Sequence, residues 1–95
     1  MEIRNARIKR TMLGKEDHGI PTCVLYLDFG GSEQGFGGYD LRYYGIDMLI
    51  DILNVVGVRT WEELPGKLVR VQTGGHVITA IGNIIEDRWY TPKEK

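Results

Sequence analysis

Residues 30–40 read GGSEQGFGGYD and separate an apolar run, IPTCVLYLDF (20–29), from a helix-like stretch, YGIDMLIDILNVVGV (44–58). These eleven positions hold five glycines, two aromatic residues and two acids. Glycine lowers stability wherever it replaces a residue that could pack. So high a glycine density therefore requires a geometric or a functional reason.

The segment before residue 30 predicts a β-hairpin. Residues 2–13 and 20–29 carry apolar side chains at strand spacing, and they flank the turn-forming sequence GKEDHG (14–19). The apolar phase of the first strand switches near Asn5–Ala6, which predicts a bulge there. The second strand is apolar on both faces, so we expect both faces to be covered.

The segment after the helix predicts a second hairpin. Residues 67–73 and 76–85 are rich in β-branched side chains and are joined at Gly74–Gly75. Residues 86–92, EDRWYTP, are expected to add a short strand.

Between the hairpins, apolar spacing predicts one amphipathic helix that ends at Gly57. The predicted apolar face comprises Ile46, Leu49, Ile50, Leu53 and Val56, with Asp47, Asp51 and Asn54 on the opposite side. We therefore predict an α+β fold in one domain over residues 1–95. It consists of a bent antiparallel sheet of two hairpins, in the order ββ-α-ββ, with one amphipathic helix.

The length and composition favour self-association. A chain of 95 residues buries only about 60–65% of the surface that its unfolded form exposes, so its stability is marginal. The sequence has one cysteine, which excludes an internal disulfide, and no Cys or His pair at a zinc spacing. Oligomerisation is the remaining source of stability.

The charge balance argues against a protein that binds duplex nucleic acid. Twelve basic and thirteen acidic residues give a net charge of −1, whereas such proteins carry a basic excess. A local basic cluster near the N-terminus is either a solvated strand face or an anion-facing stripe: Arg4, Arg7, Lys9 and Arg10. We see no apolar run of transmembrane length and no signal peptide, and we expect no membrane partner. A single, reduced cysteine is typical of a cytosolic protein, so we expect the cytoplasm as its location.

Catalysis has no recognisable constellation in this sequence. His18 and His76 lie in separate predicted turns, and Cys23 lies mid-strand among apolar neighbours. Asp47 and Asp51 are one helical turn apart, a spacing that suits acid–base chemistry or a metal but is more typical of a solvated helix face. No known catalytic motif is present. We therefore expect a protein that is not an enzyme and has no metal or cofactor.

Binding is better supported. A glycine-rich segment that leads into a helix offers backbone N–H groups and the positive end of the helix dipole, both of which favour a phosphate. Phe36 and Tyr39 could stack on a purine, and Arg42 could pair with a phosphate. The alternative is a mobile loop whose two aromatic side chains fold back onto the core.

Three further side chains have two interpretations each. Arg70, in the strand KLVRV, is either exposed or held in an interface or ligand cleft. Trp61 and Trp89 are expected to pack against the core and not to serve as stacking platforms.

The whole chain resembles a known protein family. The blocks MEIRNARIKRTMLGKEDHGI, QGFGGYDL, ILNVVGVRTWEELPGKLVRV and AIGNIIEDRWYTP are similar to those of short phage proteins that act as anti-defence sponges against the Thoeris system. The resemblance covers nearly all of the sequence, and its GFGGY and WEELPGK blocks are the most specific.

The resemblance implies a function without catalysis. Members of that family bind a cyclic ADP-ribose isomer in the infected bacterial host and hold it uncleaved, so that the downstream NADase stays inactive. Some also sequester cyclic oligonucleotides of the related CBASS defence. They assemble as dimers, and some as hexamers built from dimers, with ligand sites at subunit interfaces.

The resemblance also suggests ligand-binding residues. Relatives carry a longer charged insertion between GGY and the helix, and here DLR runs almost directly into the helix. The contacts of that insertion are therefore either missing here or replaced by Arg42, Tyr43 or Tyr44. The predicted ligand-binding set is Phe36, Gly37, Gly38, Tyr39, Arg42, Tyr44, Arg70 and Asn83. Two alternatives stay open: a phage protein that inhibits a host defence protein by binding it, and a small enzyme that degrades the signal.

Overall fold

The structure, a computed structural model, describes residues 1–93. Its elements in chain order are β1 (Glu2–Lys15), β2 (Pro21–Asp28), β3 (Glu33–Gly37), α1 (Leu41–Val56), a 3₁₀ turn (Trp61–Glu63), β4 (Leu68–Gly74), β5 (Val77–Asn83) and β6 (Trp89–Tyr90). Within residues 1–93 the strands form one antiparallel sheet in the order β3-β2-β1-β4-β5-β6. The predicted α+β class, with one antiparallel sheet and one α-helix, is confirmed.

The predicted ββ-α-ββ order is incomplete, because the glycine-rich segment contains a strand. Residues 33–37 form β3, which pairs with β2 in the register Leu25 opposite Phe36. The turn before β3 is closed by Asp28, whose Oδ1 accepts the N–H groups of Gly30 (2.8 Å) and Gly31 (3.1 Å). Only Phe36 supplies an apolar side chain to β3, so the usual strand pattern is too weak to reveal it.

β1 joins the two halves of the sheet. Its residues 2–7 pair with β4 and its residues 7–15 pair with β2. The bulge lies between Ile8 and Arg10, where β1 changes partner, and not near Asn5–Ala6 as predicted. A bulge increases the local twist and bends the strand, so the sheet curls at this point.

The curl brings distant strands together around the core. β3 contacts β5 although β2, β1 and β4 lie between them in the sheet, and the Gln34 amide donates a hydrogen bond to the His76 carbonyl. α1 contacts β2, β5 and β6. Side chains buried between these elements include Ile8, Leu25, Leu27, Phe36, Met48, Ile52, Val69, Val71 and Ile81.

α1 begins and ends with local capping interactions. Asp40 is the N-cap and accepts the N–H of Arg42 at 2.9 Å, and Gly57 ends the helix with φ 91° and an N–H bonded to the Leu53 carbonyl. Gly45, with φ 71°, interrupts the helical geometry after the first turn. The predicted helix end at Gly57 is confirmed. Over residues 1–93, no helix has the length and apolar character needed to cross a membrane.

The buried face of α1 differs from the predicted one. Met48, Ile52 and Val55 are buried, whereas Ile46 and Ile50 are 66% and 46% exposed. Apolar residues surround most of the helix, and the set at 48, 52 and 55 has helical spacing as well. Hydropathy alone therefore could not decide which set faces the sheet.

This orientation predicts opposite outcomes for two neighbouring isoleucines. Ile52→Ala should lower the free energy of unfolding by about 2–5 kcal/mol because it leaves a cavity. Ile50→Ala should change it by less than about 0.5 kcal/mol, as at other surface positions. Urea unfolding of both variants measures this difference, and a larger loss for Ile50→Ala would contradict the helix orientation.

Candidate functional site

A cleft of about 530 Å³ lies between α1 and the C-terminal segment that follows β5. Four aromatic side chains line it, together with two carboxylates and three other residues: Tyr43, Tyr44, Trp89 and Tyr90; Asp47 and Asp51; Met48, Thr91 and Lys93. Its volume falls within the range of about 300–1,000 Å³ that is typical of small-molecule sites.

Tyr44 connects the cleft to the core through a series of ring contacts. It meets Tyr43 edge-on at 4.9 Å and Tyr39 at 5.3 Å between ring centroids, and Tyr39 meets Phe36 at 6.0 Å. These are favourable T-shaped distances. The hydroxyl of Tyr44 donates a hydrogen bond to the Lys93 carbonyl. The ring is therefore held in place before any ligand arrives.

A second cleft adjoins the first on the other side of Tyr44. Its volume is about 420 Å³, and it is lined by Tyr39, Tyr44, Val77, Ile78, Thr79, Thr91, Pro92 and Lys93. Tyr44, Thr91 and Lys93 line both clefts. The contact between Tyr44 and Lys93 therefore lies between the two spaces.

The charged groups give the first cleft an acidic wall. Asp47 and Asp51 are exposed on α1, while Lys93 lies in the C-terminal segment. Burial, followed by the negative charge of Asp51, raises the pKa of Tyr90 to about 12. Tyr90 therefore keeps its proton at neutral pH and can donate a hydrogen bond.

Trp89 is fixed by the strand beneath it. It lies opposite Gly82 in the sheet, where a Cβ would come within 2.6 Å of the indole ring. Its Nε1 donates to Asp87 at 2.9 Å, and the Arg70 guanidinium lies 5.0 Å from the ring centroid. Gly82 thus allows the indole to lie directly on β5.

Arg70 and Asn83, two residues of the predicted set, bond to the chain itself. Arg70 donates to the carbonyls of Asn83 and Glu86, both at 2.7 Å. The buried Asn83 donates to the Val55 carbonyl at 2.9 Å and accepts the N–H groups of Ile85 and Glu86. Together they connect the end of α1 to the turn before β6.

The GFGG block lies in the sheet. Phe36 is 1% exposed and packs in the core, so its ring offers no face to a ligand. Gly37 has φ 142°, and a Cβ there would lie 2.2 Å from the Cys23 carbonyl oxygen. The next residue, Gly38, has φ 79° and donates its N–H to the same oxygen at 2.9 Å. Close backbone approach is therefore the geometric reason for Gly37.

The groups that the sequence suggested for a phosphate already have partners. Arg42 forms a bidentate ion pair with Asp40. Its Nε lies 3.0 Å from Oδ1 of Asp40, and its Nη2 lies 2.8 Å from Oδ2. The turn N–H groups of Gly30 and Gly31 bond to Asp28. A carboxylate thus binds Arg42 and the turn N–H groups of Gly30 and Gly31.

The structure brings only part of the predicted set together. Tyr44 lines both clefts and Tyr39 lines the second, while Arg70 contacts the cleft residue Trp89. Sequence reasoning named Tyr43 only as a possible replacement for the contacts of the missing insertion. It did not select the other walls of the first cleft as ligand contacts: Asp47, Asp51, Trp89 and Tyr90. Helical spacing could have grouped positions 44, 47 and 51 on one side of α1, but no local pattern brings residues 89 and 90 to them.

Comparisons with known proteins gave no match, either to a protein-family model or to a curated protein. Among residues 1–93, no group of three His, Cys, Asp or Glu side chains is arranged to hold a metal ion. The cleft therefore has to be interpreted from its own chemistry.

The raised pKa of Tyr90 predicts a pH dependence of stability. Its value in the folded chain is about 12 against 10.0 for a free tyrosine, so the neutral form is favoured in the folded state. The stability from this group is complete below pH 10 and is lost as the pH rises from 10 to about 12. The free energy of unfolding, measured between pH 9 and 12, should decline less for Tyr90→Phe than for the parent chain. Identical declines would contradict the buried environment of Tyr90.

Proposed function

We propose that this protein is a phage anti-defence protein that binds a cyclic nucleotide immune signal and sequesters it without cleaving it. The signal is a cyclic ADP-ribose isomer or a cyclic oligonucleotide, captured in the cytoplasm of the infected bacterial host. Self-association, as a dimer or as a hexamer built from dimers, is part of the proposal. The cleft walled by four aromatic rings is the observation that carries it.

Base stacking supplies most of the affinity in this proposal. Stacking of a base on an aromatic side chain contributes about 1–3 kcal/mol. Tyr43 and Trp89 stand on different elements that bound the cleft, so a purine entering it can meet more than one ring. Because Tyr44 is fixed by Tyr39 and Lys93, little ordering entropy is lost on binding.

The carboxylates determine the orientation of the ligand. Asp47 and Asp51 accept hydrogen bonds, so they suit ribose hydroxyls and the N–H groups of a base. They repel phosphates. The ligand therefore places its base and ribose against α1 and turns its phosphates outward, on the side of Lys93.

The cleft lining favours binding over nucleophilic cleavage. His18, His76 and Cys23 are not among the lining residues. Burial also raises the pKa of the Cys23 thiol to about 11, so its reactive thiolate is scarce at neutral pH. A sponge requires slow release and no turnover.

A ligand-recovery experiment tests this function. The protein is incubated with cyclic ADP-ribose isomers and cyclic di- and trinucleotides, separated from free ligand and heat-denatured, and the released molecules are identified by mass spectrometry. We expect intact ligand in proportion to protein. A ligand at 100 times its Kd should also stabilise the fold by about 2.7 kcal/mol. Recovery of a cleaved product, or of no nucleotide, would contradict the proposal.

Two tyrosine variants localise the binding. Tyr43→Ala removes a ring from the cleft and should weaken binding about 5- to 150-fold, the equivalent of about 1–3 kcal/mol. Tyr26→Ala is the matched control, because Tyr26 lies in β2 beneath Arg10 and outside both clefts. Equal affinities of the two variants would exclude the cleft as the site.

A second candidate function is supported by the exposed side of α1. Ile46 and Ile50, four residues apart in the part of α1 that follows Gly45, are 66% and 46% exposed and form an apolar stripe. Such stripes are typical of protein contacts. An inhibitor that binds a host defence protein would use this stripe and would yield no nucleotide in the recovery experiment.

A further inference from the structure

One half of β1 has an open edge. On its β4 side, Ile8 is the last β1 residue with a backbone partner, since it bonds to the N–H of Gly66 and the carbonyl of Lys67. From Arg10 to Lys15, β1 pairs with β2 on one side, and no strand of residues 1–93 pairs with the other. Unpaired backbone groups at a sheet edge are a template for another strand.

The hairpin geometry identifies the outward groups. Glu16 donates its N–H to the Ile20 carbonyl at 3.0 Å, and the Ile20 N–H bonds to the Glu16 carboxylate at 3.0 Å, so these two residues form the hydrogen-bonded closing pair of the hairpin. Because such pairs alternate along an antiparallel ladder, Thr11, Leu13 and Lys15 direct their N–H and C=O groups away from β2. The hydrogen bond of the Cys23 carbonyl supports this assignment. Cys23 lies opposite Leu13 in the sheet, but its carbonyl accepts the N–H of Gly38, which follows β3 on the other side of β2.

We propose that β1 pairs with β1 of a second copy of this chain, antiparallel, about a twofold axis at Leu13. The two sheets then become continuous through this edge. The two Leu13 residues face each other, and each Thr11 lies opposite Lys15 of the partner subunit. The 50% exposure of Leu13 in the single chain is then explained, because the two leucine side chains meet at the axis.

Charge complementarity selects this register. Residues 9–17 read KRTMLGKED, with two cations at one end and two carboxylates at the other. An axis at Leu13 brings Lys9 and Arg10, which contact Glu33 in their own chain, opposite the partner's Asp17 and the partner's Glu16, both in the turn that directly follows β1. Opposite charges in facing positions stabilise strand pairing, and like charges destabilise it.

Other symmetric registers lack these ion pairs. An axis at Thr11 sets Arg7 against the partner's Lys15, and an axis at Met12 sets Lys9 against the same lysine. An axis at Lys15 sets the two lysines against each other. An axis at Gly14 forms no ion pair. An axis at Met12 also sets Arg7 against the partner's Asp17, so only the register centred on Leu13 places cations against carboxylates without setting like charges against each other.

This pairing depends on β1 alone. Self-association belongs to the proposed function, but failure of the ligand-recovery experiment would leave the β1 pairing intact. Failure of the pairing would likewise leave the cleft intact.

Disulfide trapping tests the twofold axis. Facing Cα atoms in a hydrogen-bonded pair are about 5.5 Å apart, within the range of about 4.4–6.8 Å that a disulfide requires. Leu13→Cys should therefore form a covalent dimer rapidly under mild oxidation, whereas Val77→Cys, 59% exposed on β5, should not. The buried Cys23 stays in both variants. Cross-linking of Leu13→Cys no faster than of Val77→Cys would overturn the proposal.

Charge reversal tests the register. Asp17→Lys sets lysine against the partner's Lys9 at both ends of the pair and should weaken the dimer about tenfold in sedimentation equilibrium. The double variant Lys9→Glu/Asp17→Lys restores opposite charges and should return the dissociation constant to within about threefold of the parent. A monomeric parent chain, or a double variant no tighter than Asp17→Lys, would overturn the proposal.

Discussion

The fold depends on one constraint, that β1 serves two different neighbours along its length. Its first half pairs with β4 and its second half with β2, with a bulge between Ile8 and Arg10. A strand that changes partner must bend, and the bend curls the sheet until β3 contacts β5. The enclosed space holds the core, and α1 covers it. The same change of partner leaves the edge from Arg10 to Lys15 open.

The cleft exists because hydrogen bonds connect the end of α1 to the turn that precedes β6. Asn83 bonds both to the last turn of α1, at the Val55 carbonyl, and to the turn that precedes β6. Arg70 holds the same turn and contacts Trp89. Arg70 and Asn83, two residues that were predicted to contact ligand, therefore position the aromatic side chains of the cleft. Buried hydrogen bonds of this kind are costly to break, so the cleft walls have fixed relative positions.

Local patterns in the sequence were sufficient for the fold class and for part of the site. The β-branched runs and the turn signals revealed both hairpins, and Gly57 marked the end of α1. β3 was missed because Gly35 and Gly37 take positions where a strand normally shows side chains. The face of α1 was predicted only in part: Leu49, Leu53 and Val56 pack against the core, but Ile46 and Ile50 are exposed, because two apolar sets have helical spacing and only tertiary packing selects Met48, Ile52 and Val55 as the buried residues. Tyr44 was predicted, but Trp89 and Tyr90 reach the cleft through long-range topology that no local spacing encodes.

The central claim is that the cleft between α1 and β6 is where the ligand binds. The two indole N–H groups allow a direct measurement by nuclear magnetic resonance, because Trp89 lines the cleft and Trp61, in the 3₁₀ turn, does not. On titration with a cyclic ADP-ribose isomer or a cyclic oligonucleotide, the Trp89 indole resonance should shift in a saturable manner while that of Trp61 stays in place. A saturable shift of the Trp61 resonance alone, or no shift of either resonance with any of these nucleotides, would contradict the claim.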